Sequence, residues 1–244
     1  MSQSLTRRTA LTLGAAALAV PALASEKRRV LFIGNSFTAE HDVPSLFKNI
    51  AESLGYPVEI DAVLQNGAFL ADHAPGRASR IRLITDRNPD IVVLQEHSLA
   101  AFKPKEGARS FKAIVDYRFS GKHMIYFAPW PRRSGHKLYS QDGMPQSPGE
   151  MVDRSEAHLR QAAWFDMSLA SGPVARIGRA WLLAEGITLH RGDRYHANLS
   201  GAWLAALMLV RTAGFTSSAP PFVPDGMSTT TAKRLYQIAR MVAP

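Results

Sequence analysis

Short apolar runs separated by segments of helical periodicity are the feature that most restricts how this chain can fold. Residues 29–34, 58–64, 90–95 and 123–127 read as strands, with 174–178 as a short fifth. The unbroken apolar centre of a run such as Asp90-Ile91-Val92-Val93-Leu94-Gln95 calls for cover on both faces. Helical segments between the runs supply that cover, which is the pattern of an α/β chain with a parallel sheet. Leu46, Phe47, Ile50, Ala51 and Leu54 share one helical face, with Pro44 suited to the first turn and Gly55 to the stop. Further helices are expected over 77–87, 106–119, 150–170, 180–184, 200–213 and 230–242. The polar, basic stretch 129–148 is long for a connection, and long loops are usually functional or mobile.

Residues 1–24 stand apart. Arg7-Arg8 precedes an apolar stretch that closes on Ala22-Leu23-Ala24. A charged start, a short apolar core and a small-residue end describe an export signal cut after Ala24. The stretch is shorter than the roughly 20 residues of a membrane span, and Thr6-Arg7-Arg8 also permits a twin-arginine signal. The expectation is an exported protein, periplasmic or secreted, in which residues 25–244 form one domain with no stable membrane insertion after signal removal. The chain has no cysteine, which excludes disulfides, thiolate metal sites and a catalytic thiol. Its formal charge of +9 becomes +7 once Arg7 and Arg8 leave with the signal. A basic exported protein attracts anionic surfaces, but no zinc-finger, RNP or basic-helix pattern points to nucleic acid.

Two motifs carry the chemistry. Gly34-Asn35-Ser36-Phe37-Thr38 ends the first strand, and Asp193-Arg194-Tyr195-His196 lies near the C-terminus. Ligands of open parallel sheets bind beyond the carboxyl ends of the strands, which is where the first strand delivers Ser36. Gly34 permits a tight turn that exposes the hydroxyl. A serine needs a neighbouring base to become a nucleophile. His196 suits that task, because Asp193 three residues earlier can fix its tautomer and stabilise the imidazolium. Each piece alone also has a plain reading: a turn with a capping serine, or a helix entry capped by Asn198 or Ser200.

With these residues in this order, the chain resembles the SGNH (GDSL-type) hydrolases, serine esterases and lipases on a flavodoxin-like, three-layer α/β/α sandwich of about five parallel strands. Ile33-Gly34-Asn35-Ser36-Phe37-Thr38 corresponds to the first block, with Asn35 where many members have aspartate, and Asp193 with His196 to the last. The resemblance implies an ester hydrolase acting through an acyl-enzyme, with Ser36, Asp193 and His196 catalytic and no metal or organic cofactor. It implies an oxyanion hole from the Ser36 and Gly67 N–H groups and a third donor. The usual third block is replaced by Leu94-Gln95-Glu96-His97-Ser98. Gln95 offers a suitable side-chain amide, and His97 is the alternative for that position. Export and a polar rim favour a small-molecule or glycan ester carrying short acyl groups. A lipase, thioesterase, acyltransferase, inactive glycan-binding module or flavodoxin-like phosphate binder are the rival readings, although no Gly-x-Gly-x-x-Gly or Walker pattern supports the last.

Other clusters have plainer readings. Glu40-His41-Asp42 reads as a solvated loop entering the helix at Pro44 rather than a metal or proton-relay cluster. Asp72-His73 lacks a partner at metal-ligand spacing. Trp130, Arg132, Arg133 and His136 suit either an acidic or sugar-containing substrate or a solvated basic loop. Trp164, Phe165 and Met167 read as core.

Overall fold

Five parallel strands form one sheet in the computed structural model, which describes residues 26–73, 88–116, 122–165 and 172–242. They are β1 (Arg28–Gly34), β2 (Val58–Leu64), β3 (Ile91–Gln95), β4 (His123–Phe127) and β5 (Val174–Ala175), in the spatial order β2-β1-β3-β4-β5. This is the flavodoxin-like order, and its switch point lies between β1 and β3. The register pairs Val30 with Ile91 and Ile33 with Leu94, so these two strands reach the same edge of the sheet. The segment expected to be an export signal, the helix expected over 77–87 and the C-terminal ends of the helices expected over 106–119 and 150–170 lie outside the described residues.

Side-chain alternation explains the three layers. Val30, Phe32, Val93, Ile125 and Phe127 face one side of the sheet, where they pack with helices α2 (Val43–Ser53), α6 (Leu199–Thr212) and α7 (Thr229–Met241). Leu31, Ile33, Val92, Leu94, Met124 and Tyr126 face the other side, with Leu159 of α4 (Pro148–Phe165). The remaining helices are the single turn α1 (Ser36–Ala39), α3 (Pro104–Asp116) and α5 (Ile177–Leu183).

Local chemistry sets the helix starts. Asp42 accepts from the Ser45 N–H at 3.2 Å to cap α2, and Asn198 accepts from the Gly201 N–H at 3.0 Å to cap α6. The fifth strand is shorter than expected: only Val174 and Ala175 pair, with Tyr126 and Phe127. Beyond Phe127 the neighbouring strand turns away into the loop after β4, so the chain has no ladder to continue and Gly178 belongs to α5.

Candidate active site

Ser36 is the first residue of α1, placed directly past the carboxyl end of β1. Asn35 caps that turn through its Oδ1, which accepts from the Phe37 N–H at 3.1 Å. Its Nδ2 donates to the Ala68 carbonyl at 2.8 Å, tying the loop that carries Ser36 to the loop after β2. The asparagine at this position therefore serves two loops. An aspartate could keep the cap but could not donate to Ala68.

The serine and histidine, 160 positions apart, meet at 3.2 Å between Ser36 Oγ and His196 Nε2. On the other ring nitrogen, Asp193 Oδ2 lies 2.7 Å from His196 Nδ1. The second carboxylate oxygen of Asp193 accepts the Tyr195 and His196 backbone N–H groups at 2.9 and 3.0 Å. Burial alone would raise the Asp193 pKa, but these three hydrogen bonds outweigh it and hold the carboxyl at about 2. The carboxylate is thus charged at any ordinary pH, and its geometry places the imidazole proton on Nδ1 and leaves Nε2 to accept.

The 193–196 turn is braced from several directions. His190 and Ala197 form an antiparallel bridge, and Arg191 N donates to the His196 carbonyl at 2.8 Å. Trp130 Nε1 donates to the Tyr195 carbonyl at 3.0 Å, while its ring stacks on Phe37 at 4.2 Å and 3°. One indole therefore touches the residue after the serine and the residue before the histidine. Trp130 and Arg132 are both buried. The stretch after β4, expected to be either a substrate-binding rim or a solvated loop, sends these two side chains inward and uses them to support the site.

Gln95 does something other than expected. Its Oε1 accepts from the Asn35 N–H at 2.7 Å and from Thr38 Oγ1 at 3.1 Å, and its Nε2 donates to the Glu96 carbonyl at 2.6 Å. Gln95 is 1% exposed, and its oxygen rather than its amide nitrogen faces the loop that carries Ser36. Through these bonds Gln95 acts as the anchor of that loop. Gly34 is explained by the same contact. A Cβ on Gly34 would lie 2.7 Å from Gln95 Oε1 and 2.9 Å from Gln95 Cβ, so this glycine is required for close approach and not for a turn.

Two backbone donors remain open. Neither the Ser36 nor the Gly67 N–H has an acceptor among the described residues. Gly67 is exposed with φ of +72°, a left-handed conformation that favours glycine. His97 stacks on Phe69 at 4.2 Å, next to that loop, and its Nδ1 accepts from the Leu99 N–H at 3.1 Å. Its proton therefore sits on Nε2. Burial, then the charges of Arg132 and Lys103, push the His97 pKa down to about 4, so the ring is a neutral single donor.

Glu40 departs from its expected place in a solvated loop. His41 is exposed and Asp42 caps α2, as a loop entering a helix requires, but Glu40 turns inward. Its Oε1 lies 3.6 Å from His196 Nδ1, and its Oε2 accepts from Arg191 Nη1 at 2.8 Å. The usable signal was its spacing, four residues after Ser36, which is one helical turn. Asp72 and His73 do not form a metal pair: Asp72 meets Arg109 at 3.5 Å, and His73 Nε2 bonds the Gly34 carbonyl at 3.0 Å. A cavity of about 450 Å³ lies beside the site and is lined by Pro131, Ser134, Trp181 and Thr188, but neither Ser36 nor His196 reaches it. Of Trp164, Phe165 and Met167, expected in the core, Met167 lies outside the described residues.

A parallel α/β/α sandwich with a serine after its first strand and an Asp-x-x-His turn beside it is an SGNH-like fold. Among solved structures, a protein from Slackia heliotrinireducens provisionally described as an SGNH hydrolase is 28% identical, with a TM-score of 0.62 over 77% of this chain and 100% of its own. A DUF4886 family protein from Bacteroides uniformis is 18% identical, with a TM-score of 0.71 over 88% of this chain and 94% of its own. A variant of an acetyl xylan esterase from Geobacillus stearothermophilus is 14% identical, with a TM-score of 0.56 over 81% and 97%. At those identities the last two speak for the fold alone. No family model matches the sequence, and no curated protein matches it either.

Proposed function

We propose that this chain is an exported serine esterase that hydrolyses carboxylic esters through an acyl-enzyme, with short acyl groups such as O-acetyl on carbohydrate as its substrates. The observation that carries the reading is the unbroken line from Asp193 through His196 to Ser36, at 2.7 and 3.2 Å. His196 Nε2 takes the Ser36 proton as Oγ attacks the ester carbonyl. The carbonyl oxygen gains the negative charge, and the open Ser36 and Gly67 N–H groups receive it. We assign the third donor to His97 Nε2 in place of Gln95. The protonated His196 then gives its proton to the departing alkoxide, and Asp193 stabilises the imidazolium in the interval. Water attacks the acyl-enzyme with His196 again as base. The acetyl xylan esterase among the fold neighbours is in keeping with short acyl groups on sugars, and the N-terminal segment with export.

Turnover of short and long p-nitrophenyl esters by the wild type, Ser36→Ala and His196→Ala tests this. Each substitution should lower kcat by at least about 10³-fold, with short chains preferred in the wild type. Equal rates in all three proteins, or a fluorophosphonate adduct mapping to another residue, would refute the assignment. A mature N-terminus other than Ser25 by mass spectrometry would count against the proposed signal cleavage.

A further inference from the structure

Arg132 is the most deeply buried arginine beside the site, with 5% of its surface exposed, and no carboxylate forms an ion pair with it among the described residues. Other arginines here have acidic partners: Arg160 and Arg176 share Glu156, and Arg191 holds Glu40. Among the described residues, Arg132 donates from Nη1 to the Ser98 hydroxyl at 3.1 Å and stacks on the Tyr195 side chain, whose ring centroid lies 3.5 Å from the guanidinium carbon. A guanidinium carries five N–H donors and cannot give up its charge. Burying that charge without an ion pair is costly, and the stacking on Tyr195 and the more distant charge of Asp193 offset only part of the cost.

The position matters as much as the burial. Tyr195 also lies against the imidazole of His196, with ring centroids 4.0 Å apart, so a single ring separates the guanidinium from the base. On its other side Arg132 approaches the ring of Phe37, the residue after the nucleophile, at 5.7 Å. The surroundings are electropositive: after burial, the charge of Arg132 is the strongest influence lowering the pKa of both His97 and His136. The nearby acids are already committed, Asp193 to His196 and Glu40 to Arg191.

We propose that Arg132 recognises a carboxylate on the substrate, so that the preferred ester carries an acid group on either its alcohol or its acyl side. This rests on the esterase reading and narrows it: an O-acylated acidic sugar fits, and so does an ester of a dicarboxylic acid. A carboxylate entering the cleft supplies the acceptors that the fork of N–H groups lacks, in the paired geometry that guanidinium and carboxylate share.

Two matched pairs of esters test the proposal. 4-Acetoxybenzoate and its methyl ester differ in charge on the alcohol side; mono-4-nitrophenyl succinate and its methyl ester differ on the acyl side. In the wild type the anionic member of one pair should have the higher kcat/KM by about tenfold or more, and the pair that shows it identifies the side. The preference should shrink in about 0.5 M salt, fall to near unity in Arg132→Gln and be partly kept in Arg132→Lys. Each ratio is internal to one protein, so partial misfolding does not distort it. If Arg132→Gln does not fold, Arg132→Lys and the salt series still decide. No preference for the anion in either pair, or a preference that survives in Arg132→Gln, overturns the proposal. Failure of the esterase reading looks different: none of the four esters turns over, or turnover persists in Ser36→Ala. Thermal stabilisation by free glucuronate and by benzoate then decides on Arg132 alone, being expected in the wild type and lost in Arg132→Gln; no stabilisation of the wild type counts against it.

Discussion

His196 Nδ1 has two carboxylates around it, Asp193 at 2.7 Å and Glu40 at 3.6 Å. Asp193 makes the short bond and orients the ring, while Glu40 is held back by Arg191. Removing Asp193 leaves Glu40 as the remaining anion able to stabilise the imidazolium, so the two are expected to be coupled. In the esterase mechanism proposed here, Asp193→Ala should lower kcat/KM by about 10²–10³-fold and Glu40→Gln by no more than about threefold. The double variant should lose more than the product of the two, because the substitute is then gone. Simple multiplication of the two losses in measured kcat/KM would show Glu40 to be idle. Because Asp193 stays ionised down to about pH 2, its own titration should not shape the activity profile above about pH 4.

Between elements, the site depends on contacts that cross the ends of β1, β3 and β4. Gln95 at the end of β3 holds the loop after β1, and Trp130 beyond β4 joins Phe37 to the turn carrying His196. Trp130→Phe keeps a ring for the stack but removes the indole N–H that Tyr195 accepts. Its cost in stability should be modest, about 1–2 kcal/mol in chemical denaturation. Its cost in kcat should be larger in proportion, about tenfold, because a small displacement of the base is amplified in the rate. A Trp130→Phe protein with lowered stability and unchanged kcat would show that the indole bond is structural only. The loop after β4 was legible as unusual in length and charge, but not as a brace. Basic residues in a polar stretch look solvated until the fold shows which of them turn inward.

At the scale of the molecule, Glu96 is an acid sealed into the fold next to the site. Its Oε1 accepts the Leu70 and His97 N–H groups at 3.2 and 2.6 Å, whereas Oε2 lies by the Ser110 hydroxyl without a hydrogen bond of good geometry. Burial raises its pKa from 4.5 to about 7, against the lowering effect of these hydrogen bonds. The folded protein therefore keeps a proton that the unfolded chain gives up above pH 4.5. Stability should fall as pH rises from about 4.5 to 7, by on the order of 3 kcal/mol, and level off beyond. Glu96→Gln mimics the protonated acid and should flatten this slope in denaturant unfolding followed against pH. An equally steep slope in Glu96→Gln would place its origin in another group.

The positions of the strands and most helices were readable because apolar periodicity is local: each run records which faces its own residues must bury. Ser36, Asp193 and His196 were visible as candidates for a related reason, since the serine directly follows a strand and the acid and base sit one turn apart. What only the tertiary structure decided is the division of labour among polar atoms. Gln95 became an anchor, Glu40 a neighbour of the base and Arg132 a buried cation, because each depends on how closely the ends of separate strands approach. A hydrogen bond or an unpaired charge is settled by distances of a few ångström between residues far apart in the chain, and the pattern of neighbours along a sequence does not encode those distances.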